Sequence, residues 1–240
     1  MDILFLTAAQ EAGGASLIVP VVYIVAIGII AFFVFKKKKS RNSSLINIDT
    51  SDKRSNYDCQ QVIDYFCKEG CLARKMSDED YLSLVRNKRD SLRLRKKAIE
   101  KIGLEEEEVS EIPPAMFEGF VFKNALAKQN AYGKWVSSSY QVSWIFFSST
   151  QIYLYSCTFN MDNEKKSERT DEFFYKDVTS FSTLSETDVA HGHKGITFEV
   201  TSDQFALVVP GDKLCLAMGD VPDAESIIQG MKQKLREKKM

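Results

Sequence analysis

Residues 17–35, LIVPVVYIVAIGIIAFFVF, run nineteen positions without a charge and end against Lys36, Lys37, Lys38 and Lys39. No other feature limits the chain so severely. At about 1.5 Å per residue such a helix covers roughly 28 Å, one hydrocarbon core. It is apolar on every side, whereas a core helix of a soluble protein keeps a polar stripe. Pro20 and Gly28 fit, because both residue types are commoner in spanning helices than in soluble ones. A cleaved export signal needs positive charge before the apolar run and a small-residue site after it. Here residues 1–16 hold Asp2 and Glu11 and no Lys or Arg, and the positive charge follows the run. The expectation is a single uncleaved transmembrane helix over 17–35. Lys36, Lys37, Lys38, Lys39 and Arg41 would keep their flank in the cytoplasm. The short N-terminus 1–16 is then expected outside the plasma membrane, and residues 36–240 inside. The same lysines can attract anionic lipid.

About 205 residues remain after the span, enough for one or two domains with a real core. Lys and Arg total 32 against 33 Asp and Glu, which argues against a dedicated nucleic-acid binder. Cysteines stand at 59, 67, 71, 157 and 215, an odd count without repeated spacing. In the cytoplasm free thiols are expected. Cys59, Cys67 and Cys71 could share a helix face, but no fourth ligand stands near them, so buried side chains are the expected role rather than zinc.

Residues 36–56 read as a basic flank and polar linker, about 17 residues of which reach roughly 20–25 Å on average. Residues 57–112 read as a helical segment. Val62, Ile63, Phe66, Cys67 and Cys71 mark a helix over 57–75. Ser77 with Asp80 gives a capping-box pattern for a second helix, Asp78 to Ile102, striped by Leu82, Val85, Leu92, Ile99 and Ile102 and stopped by Gly103. This helix is strongly basic, with Arg86, Lys88, Arg89, Arg93, Arg95, Lys96, Lys97 and Lys101. A charge run is usually a solvated face, here neutralised in part by Glu105–Glu108. Even so, residues 53–103 carry 13 basic and 8 acidic side chains. Arg86, Arg89, Arg93, Lys96 and Lys97 are therefore singled out as a face for a partner protein or an anionic lipid surface.

Pro113-Pro114 closes the helical part, and the periodicity turns strand-like. Strands are expected at 116–123, 134–147, 151–158, 170–175, 178–184, 195–201, 204–210 and 213–218. Hairpin turns are expected at Ser148-Ser149 and Ser202-Asp203, and polar loops at 159–169 and 185–194. A last amphipathic helix, capped by Asp223 and lined by Ile227, Ile228, Met231 and Leu235, would plug an open end of the sheets.

Short antiparallel strands followed by one closing helix are the order of a pleckstrin-homology-like domain. The stretches WIFFSSTQIYLYS (144–156) and DEFFYKDVTSFS (171–182) resemble bacterial PH-like and GRAM-type domains, over residues 115–238. The resemblance implies an antiparallel sandwich or barrel that binds phosphoinositides, peptides or partner proteins. Lipid-binding members carry a basic cluster in an early hairpin, and this sequence departs from them. Residues 148–150 hold no basic residue, and residues 115–220 hold 9 Lys and Arg against 13 Asp and Glu. Residues 57–112 resemble no family.

No P-loop, dinucleotide fingerprint, nucleophile elbow or zincin motif occurs, so no catalytic, cofactor or metal residues are assigned. Asp188, His191 and His193 read as a polar turn. Trp135, Trp144 and Tyr140, Tyr153 and Tyr155 fit a core better than a ligand groove. The fold class expected is α+β: one transmembrane helix, a helical segment, then the PH-like β-domain 115–240. The function expected is a non-catalytic interaction or scaffolding module at the membrane that holds a protein partner or a second copy of itself. A small-ligand or lipid site in an aromatic-lined groove is the alternative.

Overall fold

In the computed structural model the described residues are 50–67, 76–105, 113–219 and 224–239. The span expected at 17–35, its flank Lys36–Lys39 and Arg41, Cys71 and the Asp223 cap lie outside them. Among the described residues no helix is long and apolar enough to cross a membrane. The architecture is α+β.

Helix α1 covers Thr50–Cys67, so it begins seven residues before the expected start, inside the stretch read as linker. Helix α2, Asp78–Ser91, opens on the expected capping box: Ser77 Oγ accepts from the Asp80 N–H at 3.0 Å, and the Asp80 carboxylate accepts from the Ser77 N–H. The long helix predicted to reach Ile102 breaks instead. Arg93 sits in the left-handed region (φ 48°, ψ 46°), and α3 restarts as Leu94–Ile102, ending on Gly103 at φ 78°. Geometry explains the break. In one continuous helix Leu94 would lie about 180° around from Val85. The break returns Leu94 and Ala98 to the face that already buries Tyr81 and Val85.

The nine strands are β1 Ala115–Val121, β2 Ala127–Gln129, β3 Trp135–Ser137, β4 Ser139–Phe147, β5 Gln151–Asn160, β6 Lys166–Phe174, β7 Ser180–His191, β8 Thr197–Val209 and β9 Asp212–Ala217. They form antiparallel sheets ordered β1-β4-β5-β6, β7-β8-β9 and the hairpin β2-β3. The turn expected at Ser202-Asp203 is not there; β8 runs straight through. Glu186 pairs with Ser202 and Ser185 with Asp203, and the Ser185 hydroxyl bonds the Asp203 carboxylate at 2.5 Å. These polar residues stand on a two-stranded ribbon exposed on both faces, where strand positions and turn positions have the same composition. For the same reason the loop expected at 185–194 is mostly β7. The run 134–147 splits at Ser138, whose N–H and hydroxyl turn aside to Leu126, at 2.8 and 3.1 Å.

The four-stranded sheet is covered on both faces. Its inner residues Phe117, Ile145, Ile152 and Leu154 pack with Phe181, Phe205, Leu207, Leu214 and Leu216, and with Ile228, Met231 and Leu235 of α4, Ala224–Lys239. The last helix thus closes this core with the residues its stripe predicted. The outer residues Val142, Phe146, Tyr155, Cys157 and Phe159 pack with Val62, Tyr65, Phe66, Tyr81, Val85, Leu94 and Ala98 of α1–α3. Strand β9 crosses the sheet from one side to the other. Asp212 lies 3.6 Å from Arg169 on β6, the Ala217 N–H donates to Gln141 on β4 at 2.7 Å, and the Gly219 N–H donates to the Glu118 carbonyl on β1 at 2.7 Å. The last crossing requires glycine: a Cβ on Gly119 would stand 2.8 Å from the Gly219 nitrogen.

Candidate functional site

The helices dock on the sheet through buried polar anchors as well as apolar ones. Tyr81 is fully buried, its ring stacked 4.5 Å from that of Tyr65, and its hydroxyl donates to the Ser137 carbonyl at 2.5 Å. Burial holds the Tyr81 pKa well above its ordinary value. The Tyr65 hydroxyl donates to Asp78 at 2.6 Å, and the Lys128 ammonium lies 3.3 Å from the Tyr65 ring centroid. Burial alone would raise the Asp78 pKa; Tyr65, the Ala131 N–H and Lys128 together hold it below the usual range.

Among the described residues the basic run of α2 and α3 divides into members docked on the sheet and exposed members. Arg89 forks onto Glu118 of β1, Nη1 at 2.7 and 3.0 Å from the two carboxylate oxygens, while its Nε bonds Asp90 at 2.8 Å. The bond to Asp90, with Glu118 behind it, holds the guanidinium pKa above its usual value against the effect of burial. The Lys88 ammonium donates to the Asn160 carbonyl at 2.9 Å, and Lys101 pairs with Glu168 of β6. Glu118 and Glu168 come from the sheet, where the sequence had suggested the glutamate run; of that run only Glu105 is described. Arg86 is exposed and bonds Ser83 at 3.3 Å; Lys97 is half-buried, its charge felt at the Cys157 thiol.

Arg93, Arg95 and Lys96 are exposed and ring a cleft. The cleft, of about 500 Å³, lies between the α2–α3 break and the outer face of the sheet. Arg89, Asp90, Arg93, Leu94, Arg95 and Lys96 form its rim, and Met116, Val142 and Trp144 its floor. Alternation on β1 and β4 puts those floor residues on the face that also carries Glu118. Trp144 is half-buried, 6.3 Å from Phe146 between ring centres. Among the described residues Arg93 and Arg95 have no ion-pair partner, and Lys96 has only Glu100 at 3.7 Å, both ends exposed. Arg93 is also the N-cap of α3 without a side-chain cap. Of the five residues singled out in the sequence, the structure brings Arg89, Arg93 and Lys96 into one cleft and leaves Arg86 and Lys97 outside it. It adds Arg95 and the floor. Trp144, read as core, is half floor and half core; its even-numbered position alongside Val142 carried the available signal.

A second, smaller cavity of about 190 Å³ lies where β9 crosses the inner face, beside Gln141, Ser156, Thr158, Ser167 and Arg169. Gln141 Nε2 donates to the Thr158 hydroxyl at 3.2 Å, and Ser143 bonds Ser156 at 3.1 Å. Cys59, Cys67, Cys157 and Cys215 are free thiols, and burial raises the pKa of each. Among the described residues no group of three His, Cys, Asp or Glu is placed to hold a metal. His191 lies in β7, its N–H bonded to the Ala125 carbonyl at 2.8 Å, and His193 opens a short 3-10 turn. Comparison with known protein families, curated proteins and solved structures finds no match.

Proposed function

We propose that this is a single-pass membrane protein whose described part is a PH-like, non-catalytic binding module, and that it holds a protein partner in the cleft between the α2–α3 break and the sheet. The observation that carries this reading is the cleft itself: exposed cations, of which Arg93 and Arg95 have no ion-pair partner among the described residues, around an apolar floor. Its volume lies in the range of ordinary ligand sites. The one carboxylate among its lining residues, Asp90, is bonded to Arg89, so the lining offers a surface for recognition rather than an acid–base pair. Antiparallel strands followed by one closing helix, the order that the PH-like resemblance implies, support the fold reading. The uncharged run at 17–35 and the lysines after it support the anchor, with the C-terminal part in the cytoplasm. A second reading, a small-ligand site, is favoured by the polar cavity beside Gln141 and Ser156.

Two measurements on the full chain test the proposal. Reporter fusions after Gly14 and Met240 should place the first outside the cytoplasm and the second inside; the reverse result ends the membrane-anchor reading. A photo-reactive side chain at Met116 should give discrete cross-linked products in cells, lost on Arg93→Gln/Arg95→Gln. Products unaffected by that change would move the partner away from the cleft.

A further inference from the structure

We propose, resting on the binding-module reading, that the occupant of this cleft is an acidic linear peptide with an apolar side chain among its carboxylates. Three properties select that chemistry. The rim carries net positive charge: Asp90 and Glu118 are spent on Arg89, Lys96 has one exposed partner in Glu100, and among the described residues Arg93 and Arg95 have no ion-pair partner. A ligand therefore brings negative charge. The floor of Met116, Val142 and Trp144 is apolar, so a bare oxyanion would fill the mouth and leave the floor wet. The volume of about 500 Å³ is room for roughly seventeen waters at about 30 Å³ each, far more than one phosphate needs.

The arrangement of the cations separates a peptide from other anions. A single phosphate is gripped by Arg and Lys converging on one point. Arg95 and Lys96 are consecutive on α3, so they leave the helix about 100° apart, and Arg93 precedes them in a left-handed conformation. Cations fanned in this way match carboxylates spaced along a chain. A membrane surface also meets exposed arginines, but a flat surface does not reach a floor recessed beneath the α2–α3 break. Arg clusters that read acidic motifs are a recurring recognition mode. The chain itself contains one segment of this composition, Glu105–Ile112, EEEEVSEI, and that octapeptide serves as the probe.

The test uses the full chain in phosphatidylcholine nanodiscs with Trp135→Phe, so that Trp144 is the sole tryptophan. The peptide EEEEVSEI should shift Trp144 emission and saturate. QQQQVSQI, without the charge, and EEEESSES, without the apolar side chains, should each bind at least about tenfold more weakly. Arg93→Gln/Arg95→Gln should lose at least about tenfold for EEEEVSEI, two ion pairs of ordinary surface strength, and the loss should shrink at high salt. A chain with Glu106, Glu107 and Glu108 changed to Gln should bind the probe as tightly or more tightly; tighter binding marks its own run as a competitor and supports the same chemistry. Equal binding of QQQQVSQI, or no response to EEEEVSEI in either chain, overturns the proposal. Nanodiscs containing phosphatidylserine separate the two levels of the argument. A Trp144 response to that lipid that needs Arg93 and Arg95, with none to the peptide, ends the peptide proposal and keeps the binding module. No response to either ends both.

Discussion

Replacing Arg93 with glycine should make the protein more stable and a poorer binder at once. Arg93 is held at φ 48°, ψ 46°, where an L side chain costs about 1–2 kcal/mol. Glycine removes that cost and adds unfolded-state entropy, so the net gain is about 0.5–1 kcal/mol. For a folded part of this size the gain raises Tm by roughly 1–4 °C. Arg93 is exposed and has no ion-pair partner among the described residues, so the fold loses no contact to offset the gain. Arg93→Gln is the control: it removes the charge, keeps the strain and should leave Tm unchanged. Both variants should weaken binding of EEEEVSEI to a similar extent. Thermal unfolding of the full chain in nanodiscs, followed by near-UV circular dichroism, reads the stability, and Trp144 emission reads the binding. A glycine variant that melts at or below the temperature of the Gln variant refutes the left-handed conformation. The trade also bears on function: a strained residue kept where glycine is easier is expected where the side chain binds something.

Tyr81→Phe should cost about 1–3 kcal/mol by leaving the Ser137 carbonyl without its donor, and Tyr81→Ala about 3–5 kcal/mol, in urea unfolding; losses seen only in a separate helical transition would show that helices and sheet do not share a core. Gly119→Ala should cost about 1–3 kcal/mol, since its Cβ would press on the Gly219 backbone, and a neutral result would remove the crossing of β1 and β9. The depressed pKa values of Asp78 and of Glu168, the latter held mainly by Lys101, contribute stability that is present above about pH 4 and lost as pH falls through the folded values. Asp78→Asn with Glu168→Gln should flatten that acid limb, and an unchanged limb would count against both pairs. Asp162 has the opposite sign: burial raises its pKa, so its ionised form costs stability at neutral pH, and Asp162→Asn should raise Tm at pH 7 more than at pH 3.

The parts of the fold legible in the sequence were those with a local chemical signature. Ser77 and Asp80 fixed the start of α2, Gly103 the end of α3, and the spacing of Ile228, Met231 and Leu235 the closing helix. Signals failed where one residue serves two environments. The unbroken run Trp144–Phe147 shows no alternation because β4 is buried on both faces, by the second sheet inside and by α1–α3 outside. The ribbon β7–β8 failed in the opposite sense: its middle, 185–187 against 201–203, is polar and largely exposed, so its pairs Glu186–Ser202 and Thr187–Thr201 read as loop and turn.

The candidate site was half legible for a related reason. Its charges lie on neighbouring positions of one stretch, so the basic run announced them, but sequence could not divide that run. Arg89 and Arg93 look equivalent in text. Only the distant Glu118, twenty-nine residues on in the chain, draws Arg89 into the fold, while Arg93 has no ion-pair partner among the described residues. The apolar floor was hidden because Met116, Val142 and Trp144 are strand residues of the kind that fill cores, and most of that face does become core. What turns their patch into a cleft is the break at Arg93. It swings Leu94 and Ala98 onto the sheet and, among the described residues, leaves the corner between α2 and α3 open. A continuous helix from Asp78 to Ile102 would carry Arg95 and Lys96 in other directions and would point Leu94 away from the sheet. The cleft is thus a consequence of chain geometry at one strained residue, and its charge is a consequence of which carboxylates the sheet presents to the helix.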